Sequence, residues 1–296
     1  MASDFVTRFA PSPTGFLHLG HAYSAIMAWR AARRAGGRLL LRIEDIDRTR
    51  SRPEFEDAIF EDLRWLGIDW DGEERRQSDH FADYEAALRG LIDRGLVYRC
   101  FKTRKEVLAE IARAPHAAPN AAFGETPAYV GGPPSPADEK RLLAENAPFA
   151  WRLSLEQARA ALGPRYEALS YVEEDMREDG AAGPATTIAA KPGAFGDAVV
   201  ARKDAGTSYH LASVHDDAFA GVTHVVRSVD LCAAASLHAL LQALLAAPTP
   251  VYRHHRLIAN ADGERLSKRD GALSLRALRA GGATPTDVYR QVGLAP

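Results

Sequence analysis

Hydrophobic positions recur along this chain at two periods, and the switch between them predicts its first structural unit. Asp4–Phe9 reads as a strand. Gly20–Ala35 places Ala22, Ile26, Trp29 and Ala32 at helical spacing and stops at Gly36-Gly37. Arg38–Ile43 is a run of Leu and Ile with little alternation, as expected of a strand buried on both faces. Strand, helix and strand of these lengths predict a βαβ unit and hence a parallel sheet.

Further on, Pro53–Leu66 is a predicted helix with proline in its first turn and acids early, and Phe81–Arg94 is a second, ended by Gly95. Lys102–Ala112 reads as helical. From Pro115 to Pro136 the chain is rich in Pro, Ala and Gly with weak periodicity, so residues 101–190 are expected to form an inserted subdomain with long loops. Gly196–Lys203, a turn at Asp204-Ala205-Gly206 and Thr207–Val214 predict a hairpin, ended by Asp216-Asp217. Gly221–Val226 is a β-branched strand, Cys232–Leu245 a helix in which Cys232 is expected to be buried, and Tyr252–Ile258 a strand. Two short helices follow, the second capped by Thr284 with Pro285 at its start. The pattern divides the chain into 1–100 and 191–247 as two halves of one α/β fold, 101–190 as the insertion, and 248–296 as a loop-and-helix segment.

One stretch within this frame points to chemistry. In Arg8-Phe9-Ala10-Pro11-Ser12-Pro13-Thr14-Gly15, the two prolines end the strand because neither can donate to a ladder. Gly15 permits a tight turn. His18 and His21 flank Gly20 at i and i+3, on one face of the helix that starts there. Free backbone N–H groups at such a start attract anions. Glu44-Asp45-Ile46-Asp47 follows the second strand, at the carboxyl edge where open α/β sheets hold ligands.

Composition narrows the class. The 296 residues carry a net charge of −2, so no global basic field announces nucleic acid, although 37 basic residues can still form a local face. Cys100 and Cys232 are too few for a disulfide framework. No apolar run is long enough for a membrane, and the N-terminus has no apolar signal core, so a cytosolic protein is expected. Lysine is scarce: Lys268 is the single one after Lys203.

His18-Leu19-Gly20-His21 resembles the HIGH signature of class I aminoacyl-tRNA synthetases, and the preceding RFAPSPTG resembles their glutamyl subclass. RLSKR at Arg265–Arg269 is similar to the second signature, KMSKS, with Arg265 in place of its first lysine and Lys268 retained. LRIEDIDRTR (41–50), YRCFKTR (98–104) and GDAVVARKDAGTSYHLASVHDD (196–217) match the same family, so the resemblance spans nearly the whole chain. It implies a Rossmann-type parallel sheet split by an insertion, and activation of glutamate by attack of its carboxylate on the α-phosphate of ATP. His18, His21 and Lys268 would be catalytic. Gly20 and Ser267 would join them in holding ATP, with Mg2+ bridging the phosphates. Arg8 and Arg227 would hold the side-chain carboxylate of glutamate, Glu44 its ammonium, and Tyr209 would pack on it. Phe9, Ala10, Pro11 and Ser12 would supply further contacts. Ser213 departs from the usual Asn, so a weaker or rearranged hold is expected there.

Relatives often bind zinc through Cys-x-Cys and Tyr-x-x-x-Cys. Here Lys102 stands at the second cysteine, and Gly132-Pro133 follows Tyr129. Cys100 with His116 cannot close a tetrahedral site, so no zinc is expected and Cys100 is read as packed locally. The chain ends 27 residues after Arg269, where full glutamyl-tRNA synthetases continue into anticodon-reading domains. In this it resembles the short glutamyl-Q branch of the family. That implies transfer of glutamate to the queuosine at the wobble position of tRNA(Asp), with the anticodon arm as partner and a monomeric enzyme. A minimal synthetase charging a tRNA 3′ end, and a non-catalytic nucleotide- or tRNA-binding module, remain as alternatives.

Overall fold

A computed structural model describes residues 4–113, 128–258 and 274–295. Its first unit is β1 (Val6–Phe9), α1 (Leu19–Arg34) and β2 (Arg38–Ile43), with β1 and β2 parallel and Arg8 opposite Leu40. Helix α1 stops where Gly36 takes φ +62°, a conformation open to glycine at little cost. Ala22, Ala25, Ile26, Ala28 and Ala32 on its inner face are buried against both strands. Helix α2 (Pro53–Trp65) leads to a short β3 (Arg75–Arg76) parallel to β2, a 3-10 turn (Gln77–His80) and α3 (Phe81–Asp93).

The chain then builds a smaller antiparallel sheet from β4 (Val97–Cys100), β5 (Ala150–Leu153) and β8 (Val199–Arg202), in the order β4-β5-β8. Between β4 and β5 lie α4 (Arg104–Arg113) and α5 (Pro136–Ala144). After β5 come α6 (Leu155–Leu162), α7 (Pro164–Glu167), and a hairpin of β6 (Ser170–Met176) and β7 (Ala182–Ala189). The region expected as one insertion thus feeds two sheets, because β6 pairs with β10 (Val251–His255), which pairs in parallel with β9 (His224–Ser228). Strand β9 lies beside β1, where Thr223 N–H donates to Val6 O at 2.9 Å and Val6 N–H to Thr223 Oγ1 at 2.9 Å.

The second arm of the expected hairpin is a correction. Residues from Tyr209 to Phe219 form helix α8, not a strand. Ser208 caps it by accepting from Leu211 N–H, and Leu211, Ala212, Ser213, Val214, Asp216 and Asp217 are buried along it. The β-branched and aromatic residues that suggested a strand are overruled by this cap and by packing against α3 and α9 (Ala234–Leu244). Cys232 is a second correction: it precedes α9 and is partly exposed rather than a buried helix residue. Cys100 is buried with Tyr98, Val107 and Tyr129. The chain ends in α10 (Leu275–Ala280) and α11 (Pro285–Gln291), with the Thr284 cap in place. No helix among the described residues is long and apolar enough to cross a membrane.

Candidate active site

Two prolines and a glycine turn the chain out of β1, and its loop is then tied to the end of β2. Glu44 N–H donates to Pro11 O at 2.9 Å, Ser12 Oγ donates to Glu44 O at 2.7 Å, and Arg52 N–H donates to Pro13 O at 3.1 Å. Ser12 therefore uses its hydroxyl to position Glu44. The carboxyl ends of β1, β2 and β9 and the start of α8 enclose a cavity of about 300 Å³. Its walls include Arg8, Phe9, Ala10, Pro11, Ser12, His21, Glu44, Tyr209 and Arg227. Every residue expected to contact glutamate thus lines one pocket.

The histidine signature forms a reciprocal cap on α1. His18 Nδ1 accepts from Gly20 N–H at 3.1 Å, His21 Nδ1 accepts from His18 N–H at 3.2 Å, and the ring centroids are 3.8 Å apart. A ring nitrogen that accepts carries no proton, so each neutral imidazole holds its proton on Nε2. A Cβ on Gly20 would approach the His18 ring to 3.0 Å, so the glycine lets that ring fold back onto the helix start. His21 lines the pocket. Ser274 bridges His18, and Leu275 N–H donates to Leu17 O at 2.8 Å. The chain just beyond the second signature therefore lies against the first. Ser267 and Lys268 themselves, like Arg265 and His116, fall outside the described residues.

Beneath the pocket lies a buried charge network in which Arg42, Asp216 and Asp217 escaped sequence reasoning. Asp217 Oδ1 accepts from Arg8 Nε at 3.0 Å and from Arg42 Nη1 at 2.5 Å. Arg42 Nη2 reaches Glu44 Oε1 at 3.0 Å, and Ser213 Oγ donates to the same oxygen at 3.2 Å. Asp216 accepts from Arg75 Nε, Gln77 Nε2 and Tyr84 OH at 2.8–2.9 Å. Burial pushes the Glu44 carboxyl above its ordinary range, against the pull of Arg42 and Arg8. Burial also opposes ionisation of Asp217, but Arg8 and Arg42 outweigh it and hold that carboxyl low. For Asp216 the hydrogen bond from His215, with Arg42, Gln77 and Arg75, overcomes burial and brings it to about 2. Ser213, where a weaker or rearranged hold was expected, donates to Glu44. The available signal was Arg42, one cation in the apolar run Leu39–Ile43.

Arg227 is built differently. It is 5% exposed, its Nε donates to His254 Nε2 at 3.1 Å, and Nη1 and Nη2 have no hydrogen-bond partner among the described residues. A buried guanidinium edge facing a cavity is a site for a carboxylate, which would accept from both nitrogens.

Lys102, at the position of the relatives' second zinc cysteine, bonds to Glu110, and its ammonium lies 5.6 Å from the Tyr129 ring centroid. Among the described residues, the one group of metal-ligating side chains that converges is Glu173, Cys232 and His254, on β6, before α9 and on β10.

A parallel sheet bearing a histidine-capped helix start beside a split second half is the catalytic fold of the class I aminoacyl-tRNA synthetases. Structural comparison agrees: a glutamate tRNA ligase from Elizabethkingia meningosepticum, solved in complex with its amino acid, superposes with a TM-score of 0.65 at 27% identity, over 90% of this chain and 52% of that one. A family model described as "tRNA synthetases class I (E and Q), catalytic domain" matches residues 4–124 and 173–294, and the chain belongs to that family. It is 47% identical to the glutamyl-Q tRNA(Asp) synthetase of Rhodobacter capsulatus over 98% of this chain and 100% of that protein. It is 39% identical to a glutamate–tRNA ligase of Cereibacter sphaeroides over 95% of this chain and 58% of that one. The chain is an ATP-dependent ligase of the class I synthetase type.

Proposed function

We propose that this protein activates L-glutamate with ATP and transfers the glutamyl group to the queuosine at the wobble position of tRNA(Asp). The observation that carries the glutamate half is Arg227, buried at the cavity with Nη1 and Nη2 unpaired. The side-chain carboxylate of glutamate would accept from these two nitrogens, with Arg8 close by. Its ammonium would face Glu44, whose Oε1 accepts from Arg42 Nη2 at 3.0 Å. The α-carboxylate would then lie toward His21. An oxygen of that carboxylate attacks the α-phosphorus of ATP, and the bond to pyrophosphate breaks. The Nε2–H donors of His18 and His21 answer the charge that grows on phosphate oxygens. Lys268 would clamp the phosphates.

Mg2+ would enter with the nucleotide and supply charge neutralisation at its phosphates. Glu44 and Asp230 are the carboxylates among the described pocket residues, and Glu44 is engaged by Arg42 and Ser213, so the pocket suits a metal carried by ATP. In the second step a hydroxyl of the queuosine cyclopentene attacks the glutamyl carbonyl and AMP leaves. The relationship to the Rhodobacter capsulatus protein supports this acceptor. The protein would act in the cytoplasm as a monomer on the anticodon arm, held by arginines of the insertion and of the sheet's carboxyl edge.

The test has two readouts. Glutamate-dependent pyrophosphate–ATP exchange is expected without tRNA, and its absence would refute activation. Total tRNA is then charged with labelled glutamate and digested to nucleosides. Label should run with a wobble nucleoside; label on the terminal adenosine would instead establish a 3′-charging synthetase.

A further inference from the structure

Arg227 owes its orientation to a chain of side chains that runs across three strands. In the parallel register of β9 and β10, Arg227 is the partner of His254, and in that of β10 and β6, Tyr252 is the partner of Glu173. Residues two apart on a strand share a face, so Tyr252 and His254 both stand on the side that carries Arg227 and Glu173. Arg227 Nε donates to His254 Nε2 at 3.1 Å, and His254 Nδ1 lies 2.9 Å from Glu173 Oε1. The Arg227 contact makes Nε2 an acceptor, so the ring is neutral and its proton sits on Nδ1, donated to Glu173. The Tyr252 ring lies parallel to that of His254, with the Arg227 guanidinium carbon 4.9 Å from its centroid. Tyr252 OH in turn accepts from Gln242 at 3.3 Å. The guanidinium is held at Nε and on one face, and its Nη1–Nη2 fork is buried with no hydrogen-bond partner among the described residues.

We infer that His254 and Glu173 are positioning residues that aim this fork into the pocket without neutralising it. A carboxylate in place of His254 would orient Arg227 equally well but would satisfy its charge and compete with an incoming acid. A neutral imidazole orients and leaves the charge for the ligand. Glu173 fixes the tautomer from the neighbouring strand, two strands from Arg227, so the choice of an acid over its amide depends on a residue that never meets the substrate. Glu173, Cys232 and His254 have ligand atoms within 4.8 Å of one another, as a metal site would. The guanidinium bonded to the same imidazole opposes a dication there, and the hydrogen bonds already account for the cluster. The inference rests on the reading of Arg227 as the receptor of the glutamate side-chain carboxylate.

The test measures pyrophosphate–ATP exchange with glutamate and with glutamine for the wild-type protein and for His254→Phe, His254→Gln, Glu173→Gln and Arg227→Ala. His254→Phe keeps a flat ring but loses both hydrogen bonds. It is expected to raise KM for glutamate at least tenfold and to lower the glutamate-to-glutamine preference by a similar factor, while KM for ATP and kcat stay within about twofold. His254→Gln offers an amide oxygen to Arg227 Nε and should recover most of the loss. Glu173→Gln should raise KM for glutamate about threefold. A folded His254→Phe protein with unchanged glutamate KM and preference overturns the inference, as does a loss shared equally by the two KM values and kcat. Should His254→Phe fail to fold, Glu173→Gln decides the matter, and an unchanged KM for glutamate in that variant overturns the inference. No exchange by the wild-type protein, or full exchange by Arg227→Ala, refutes the underlying reading of the pocket. Loss in Arg227→Ala with no effect at His254 refutes the relay alone.

Discussion

Two arginines on neighbouring strands line the same pocket, and their surroundings are opposites. Arg8, on β1, lies over a floor where its guanidinium and those of Arg42 and Arg75 meet the carboxylates of Glu44, Asp216 and Asp217. Arg227, on β9, meets an imidazole, an aromatic face and, among the described residues, no carboxylate within hydrogen-bonding reach. Burying a charge is costly unless it is paired, so the floor pairs its charges internally and is a structural unit. The wall leaves one charge unpaired, which makes it the place where a ligand charge is missing. The binding site is legible as a buried guanidinium left without an anion beside a floor whose arginines are paired.

This contrast predicts opposite responses to deletion. Asp217→Ala leaves Arg8 and Arg42 buried without their shared partner and should destabilise the fold by about 3–5 kcal/mol in denaturant unfolding. Arg227→Ala should change stability far less, because it removes a charge that lacked a partner. Similar losses from both would erase the distinction between floor and wall.

Titration sharpens the same comparison. The Asp216 carboxyl is lowered from 3.8 to about 2. A group depressed on folding contributes stability that is complete above its unfolded value and is lost as pH falls through its folded value. The contribution, roughly 2 kcal/mol, should therefore disappear between about pH 4 and pH 2. Asp216→Asn should flatten the acid limb of the thermal stability profile in that window. An unaltered acid limb would mean the floor is not held by Asp216.

The smallest effect is expected at the junction of floor and pocket. Ser213→Ala removes one of the two side-chain donors to Glu44 and leaves Arg42 in place. Its cost is about 1 kcal/mol, read as roughly a fivefold rise in KM for glutamate with stability nearly unchanged. An unchanged KM would place Ser213 outside the pocket's support.

How much of this could be read beforehand varied with how local the signal was. The βαβ start, the capped helix at Thr284 and the histidine-bearing turn were all legible, because Pro, Gly and capping residues act within one or two turns of themselves. The strand reading at Thr207–Val214 failed because β-forming residues there stand in a helix started by Ser208 and buried on its inner face. That error hid Asp216 and Asp217, which then looked like polar punctuation rather than buried anions. His254 had no local signal: its partner Glu173 is 81 positions away, on a strand whose place in the sheet the pattern left open.

By itself the sequence determined the first structural unit, the signature residues and the ligand chemistry they suit, since short-range sterics, caps and side-chain functional groups travel with the chain. Only the tertiary structure decided which charges cancel and which remain open. Arg8 and Asp217 are 209 positions apart, and Arg42 and Asp217 are 175 apart. Desolvation and Coulomb attraction act between neighbours in space, so pairing at Arg8 and its absence at Arg227 exist only once β1, β2, α8, β9 and β10 have come together.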